Sequence, residues 1–96
     1  MPKKITYAKG SIIYFEEDKD DRIFILQKGL VVLSSTDVET KRPVTEYAKE
    51  GEFFGVKSAF GRFPREETAT VVADAQVIAM SVAEFEQLFS SNKQII

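Results

Sequence analysis

Short apolar runs of four or five residues recur along the chain, separated by glycine, proline or clusters of charge. Ser11 to Phe15 (SIIYF) follows Gly10 and reads as a strand, ended by the polar turn Glu16 to Asp21 (EEDKDD), with five acids and one lysine. Ile23 to Leu26 and Leu30 to Leu33 are separated by Gln27-Lys28-Gly29, a spacing that predicts a tight hairpin with Gly29 in a backbone conformation other residues reach only with strain. The polar segment TDVETKRP then connects strands, VTEYA supplies another, and KEG turns the chain. ATVVA and QVIAMS are again strand-like, separated by Asp74-Ala75. Such spacing predicts a closed or sandwiched antiparallel β structure.

One segment carries a helical signature. Ser81-Val82-Ala83-Glu84 matches a capping box, and Phe85, Leu88 and Phe89 share one helical face, so SVAEFEQLF is a short amphipathic helix expected to pack on the β core. In SNKQII, Ser91 or Asn92 is placed to cap a further helix whose apolar face Ile95 and Ile96 would begin. The expectation is a single domain, residues 1–96, excised from a longer protein that continues as a helix.

Composition narrows the chemistry. The 96 residues, 44% of them hydrophobic, suffice for one domain with a modest core. A formal charge of -2 provides no global basic field and no segment reads as a basic recognition helix, so nucleic-acid contact by this domain is not expected and any anion site must be local. Cysteine and histidine are absent, which removes thiolate metal sites, disulfides and Cys or His nucleophile-base pairs. With no nucleophile, base and orienter set, the chain does not read as an enzyme. EEDKDD lacks the ligand spacing and glycine of a calcium loop, and no metal site is expected. No segment has the apolar length of a signal peptide or a membrane span, and a cytoplasmic location is the default expectation.

The stretch from Glu52 to Ala73, EFFGVKSAFGRFPREETATVVA, concentrates the candidate chemistry. Gly55 permits a sharp turn, and VKSAF can form one helical turn whose free amides face an anion. Between residues 56 and 67, Lys57, Arg62 and Arg65 outnumber Glu66 and Glu67. A plainer reading stands beside this one: Arg65 with Glu66 and Glu67 as a surface ion cluster, Lys57 as a solvated residue, and Phe53, Phe54, Phe60 and Phe63 as packing.

The order KGSIIYFEEDKDDRIFILQKGLVVL, KEGEFFG and ATVVADAQVIAMSVAEFEQLF resembles the cyclic nucleotide-binding domain family over nearly the whole chain. The resemblance implies an eight-stranded antiparallel β-roll, or jelly roll, with short flanking helices and a phosphate-binding cassette corresponding to Phe54 through Val71. It also implies a regulatory ligand-sensing domain, with cAMP, cGMP or a cyclic dinucleotide as candidate ligands and no other cofactor. A closing helix would relay occupancy to an output domain of the parent protein and offers a route to a homodimer. The candidate ligand-binding residues are Gly55, Val56, Lys57, Ser58, Arg65 and Thr68.

Two positions depart from the family's pattern. Val56 stands where the family's Phe-Gly-Glu places a ribose-binding glutamate, and losing such a charge-assisted hydrogen bond costs about 1.5 to 3 kcal/mol. Counting back from Thr70 puts Glu67 at the family's arginine position, whereas counting forward from Gly55 reaches Pro64-Arg65, so two residues are inserted after Arg65. Either residues 66–68 bulge out and leave Arg65 aimed inward, or strand pairing begins early and turns it to solvent. Pro64, which fixes the backbone ahead of it, favours the first. The alternative function is a degenerate β-roll that serves as an interaction or assembly module without nucleotide binding.

Overall fold

The computed structural model describes the backbone of residues 1–93 and the side chains of residues 1–90. Six strands and two helices follow one another as β1 (Lys3–Tyr7), β2 (Ile12–Tyr14), β3 (Ile23–Thr36), β4 (Pro43–Ala48), β5 (Phe53–Phe54), α1 (Val56–Gly61), β6 (Thr68–Met80) and α2 (Val82–Lys93). All the pairings are antiparallel: β1, β6, β3 and β4 lie side by side, β2 adds to β6, and β5 adds to β3. This is the mainly β roll with flanking helices expected from the sequence.

The predicted hairpin at Gly29 is not formed. Residues 23 to 36 make one long strand, and so do residues 68 to 80, where a break had been expected at Asp74-Ala75. The two long strands run antiparallel from the Ile23–Met80 pair to the Ser34–Thr68 pair, with register shifts clustered between Leu26 and Val31. Gly29 therefore serves a bulge, its φ of 101° bending the strand without reversing it. A Cβ there would run into the Asp74 carbonyl and lie 2.8 Å from that of Ala73, so the two backbones touch where only glycine fits. Six strands, rather than eight, result because each long strand turns the corner of the roll unbroken.

Strand alternation sorts side chains into two cores. Phe24, Leu26, Val31, Phe54, Val71 and Val77 point into the roll with Ile13 and Tyr14. Ile23 and Met80, the neighbours of inward residues, pack outside with Ala59, Val56, Phe53 and Phe85 beneath the two helices. Phe53 and Phe54 thus belong to opposite faces. Each fully buried large side chain contributes about 1.5 to 3 kcal/mol.

α2 begins at the predicted capping box: the Ser81 amide donates to Glu84 Oε1 at 2.8 Å, and the Glu84 amide donates to Ser81 Oγ at 3.1 Å. Phe85 meets Phe53 edge to face, with ring centroids 5.0 Å apart. Leu88 and Phe89, expected on the packed face, remain 46% and 47% exposed because α2 leaves the sheet after its first turns. Ser91 and Asn92 continue α2 rather than cap another helix, while Ile95 and Ile96 lie outside the described residues. Among the described residues no helix is long and apolar enough to cross a membrane.

Two glycines separate backbone strain from steric overlap. Gly51→Ala, at φ 89° with open space around it, should cost about 1 to 2 kcal/mol from left-handed strain alone. Gly29→Ala adds backbone overlap and should cost roughly 1 to 3 kcal/mol more. Urea unfolding of the two variants measures the difference.

Candidate functional site

Gly55 closes β5 and opens α1. Its φ of 76° is left-handed, and as the residue preceding the helix it brings no side chain to cap the first amides. Gly55 and the residues of this first turn line a cavity of about 210 Å³ together with Leu33, Phe53, Phe54, Glu66 and Glu67. Four of the six predicted site residues, Gly55 to Ser58, are brought together there. A larger open groove of about 860 Å³ runs along the other side of α1, between Phe60, Phe63, the acidic loop and Val82.

Arg65 turns inward and is 0% exposed, the largest fully buried side chain. Its backbone is first clamped to the acidic loop, the amide donating to the Asp18 carbonyl and the carbonyl accepting from the Glu17 amide, both at 2.8 Å. Nη1 then donates to the Gly55 carbonyl at 2.8 Å and Ser58 Oγ at 2.9 Å, while Nη2 donates to the Arg22 carbonyl at 2.5 Å. Asp20, which accepts from Arg22 Nε and Nη2 at 3.0 Å, also places Oδ1 3.4 Å from Arg65 Nη2 and shares its charge between the two guanidinium groups. The Arg65 guanidinium carbon sits 4.1 Å from the Tyr14 ring centroid, a cation-π contact in a dry setting. Only the Arg65 Nε lacks a hydrogen-bond partner.

The surface ion-cluster reading of Arg65 is therefore overturned. Its fork lies beneath the cassette and does not line the cavity. A permanent charge can be buried only where carbonyls, hydroxyls and a carboxylate replace water, and four segments converge to do so. Gly55 is required for the same reason, since a Cβ would lie 2.5 Å from Arg65 Nη1.

The remaining site residues fall as follows. Val56 lies between the cavity and the outer core, adding no acceptor. Lys57 is exposed and pairs with Glu66 at 3.7 Å. Thr68 stands outside the cavity lining, where its Oγ1 accepts from the Glu16 amide at 2.9 Å and ties β6 to the acidic loop. Glu67 projects into the cavity wall and accepts from the Tyr14 hydroxyl at 2.6 Å.

Tyr14 and Leu33 were not singled out from sequence. Alternation within SIIYF could not have found Tyr14, because a register shift between Ile12 and Tyr14 puts the adjacent Ile13 and Tyr14 both in the inner core. Burial, then the Glu67 hydrogen bond and charge, push the Tyr14 phenol well above its ordinary value and keep it protonated. Burial alone would raise the Asp20 carboxyl, but hydrogen bonds from Arg22 and the Arg65 charge outweigh it and hold Asp20 below the usual range.

Residues 4–92 match the family described as cyclic nucleotide-binding domain. The chain is 28% identical over 90 residues to the cAMP-activated global transcriptional regulator CRP of Haemophilus influenzae, covering 93% of this chain and 40% of that protein. Its backbone superposes on the Thermus thermophilus catabolite activator protein with a TM-score of 0.80 at 22% identity, over 96% of this chain and 43% of the other. The regulatory domain of Toxoplasma gondii PKA, crystallised with cAMP, gives a TM-score of 0.80 at 17% identity, over 98% and 36%. At these identities the structural likenesses establish the fold, and the chain spans less than half of each of these relatives.

Removing the buried fork strands its acceptors. Arg65→Met should destabilise the domain by about 3 to 5 kcal/mol in urea unfolding, with Arg65→Lys recovering only part because an ammonium cannot reach the whole set. Asp20, whose folded value is depressed, stabilises fully above its unfolded value of about 4 and less as pH falls through the lower folded value. Asp20→Asn should therefore weaken the domain at pH 7 and narrow its loss of stability between pH 5 and about 2, measured by urea unfolding at each pH.

Proposed function

This chain belongs to the cyclic nucleotide-binding domain family, and from that premise we propose that it is a regulatory domain sensing a small ligand at α1 and reporting to an output domain outside this chain. The observation that carries the reading is the sharing of β5 and α1 between cavity and outer core. Phe53 and Val56 line the one and pack in the other with Phe85 of α2. Phe60 at the end of α1 also meets Phe85, at 5.6 Å between ring centroids. Reordering of α1 by an occupant would therefore disturb the footing of α2, and a ligand with different affinity for the two arrangements would shift their populations.

A regulator fits the relatives' descriptions, among them a cAMP-activated transcriptional regulator, and a cytoplasmic location belongs to the same proposal. The residues here would support base and ribose through apolar contact and the α1 amides. They provide no arginine fork in the cavity wall, and valine stands at position 56 where the family's pattern has glutamate. That same observation favours a second reading, a β-roll acting as an assembly module, with the exposed Phe60, Leu88 and Phe89 as its contact surface.

Amide chemical shifts during titration with cAMP, cGMP, cyclic di-GMP and the uncharged nucleosides adenosine and guanosine separate the two. The sensor reading expects at least one ligand to move Gly55 to Ser58 and, at the same occupancy, Phe85 to Phe89. A cassette that responds to none of the five, or responds while α2 stays still, sinks it in favour of assembly. Phe85→Ala should leave ligand affinity within about threefold and abolish the α2 response, since the ring lies outside the cavity lining.

A further inference from the structure

We propose that Glu67 sets the charge of what the α1 cavity admits, excluding a cyclic phosphate and leaving the site open to an uncharged nucleoside-like ligand. The inference rests on reading α1 as the sensing site and deepens it by naming the ligand class.

The electrostatics follow from who pairs with whom. Among the described residues, Lys57 is the one basic side chain in the cavity lining, against Glu66 and Glu67. Lys57 and Glu66 pair at 3.7 Å at the exposed rim, so the lining holds one cation against two carboxylates. Glu67 is held by Tyr14, a neutral donor that fixes the carboxylate without cancelling its charge. Arg65, the nearby permanent cation, is occupied by three acceptors and by Asp20, and it does not line the cavity. An incoming phosphate would therefore meet an uncompensated carboxylate where part of the space is apolar, and like charges there repel strongly.

The hydrogen bond from Tyr14 also fixes the carboxylate's position. The Tyr14 ring is fully packed, stacked 5.9 Å from Phe24 by ring centroids and lying under the Arg65 guanidinium. Glu67 cannot swing to solvent without leaving a buried phenol unpartnered. The phosphate's repeller is thus part of the core's hydrogen bonding rather than a free surface side chain.

The test compares the wild type with Glu67→Gln, which keeps an acceptor for Tyr14, and Glu67→Arg, in amide titrations with cAMP and adenosine. Unchanged amide positions away from the cassette check that each variant is folded. Expected is no saturable cAMP response from the wild type at millimolar ligand, and an affinity gain of at least about tenfold in Glu67→Arg, with Glu67→Gln intermediate. Adenosine affinity should vary by less than about threefold across the three. Wild-type binding of cAMP as tight as that of Glu67→Arg overturns the inference, as does a folded Glu67→Arg that gains nothing. The readout is at Gly55 to Ser58, so a failure of charge selection is distinct from a failure of the relay, which is read at Phe85 to Phe89.

Discussion

A guanidinium with no access to water is the constraint from which much of the cassette's geometry follows. Arg65 cannot lose its charge, so its environment must supply acceptors, and they come from Gly55, Ser58, Arg22 and Asp20. These residues lie on different segments: the junction of β5 and α1, α1 itself, the start of β3, and the acidic loop before it. One side chain thereby ties the loop after β2 to the cassette, and Tyr14 closes the arrangement from the interior. The acidic loop, which reads as a solvated turn, acquires a structural task through Asp20 and through the backbone bonds of Glu17 and Asp18 to Arg65.

That task explains the shape of the candidate site. Were Arg65 to point into the cavity, its fork could meet a phosphate; because it points beneath α1, the cavity wall is left to Lys57, Glu66 and Glu67. Glu66 and Glu67, which follow Arg65 directly, then determine the balance of charge. They let the strand β6 begin at Thr68 with Glu67 next to the cavity, while Arg65 remains anchored by its bonds to the acidic loop. The two ways of counting along the sequence describe two separate residues in separate places, rather than rival positions for one.

Legibility varied with how local the cause was. The capping box of α2 and the short helix after Gly55 depend on neighbouring residues, and both were readable from the chain. Gly29 was visible as a positive-φ site, yet a hairpin and a bulge ask the same of a glycine. What distinguishes them is the Asp74 carbonyl opposite, which lies 45 residues away and leaves no local trace. β1, with a polar KKITY sequence, and β5, only two residues long, carried too little alternation to be recognised. Likewise the burial of Arg65 depends on carbonyls of Gly55 and Arg22, and a backbone acceptor has no residue type by which to be noticed.

The same division applies to the two faces of β5. Alternation at Phe53-Phe54 places one ring in each core, so a two-residue strand joins the roll's interior to the face under α2. Phe54 stacks on Phe24 at 5.2 Å between centroids, while Phe53 meets Phe85 edge to face. The inner partner is fully buried within the sheet, whereas α2 keeps Leu88 and Phe89 half exposed and packs on the outer core through Val82 and Phe85. On the sensor reading proposed above, a disturbance at α1 would meet unequal resistance on its two sides, the sheet and the Arg65 clamp being the firmer and the footing of α2 the weaker. Direction in such a sensor would need no dedicated pathway, only a wall held on many sides next to a helix held on few.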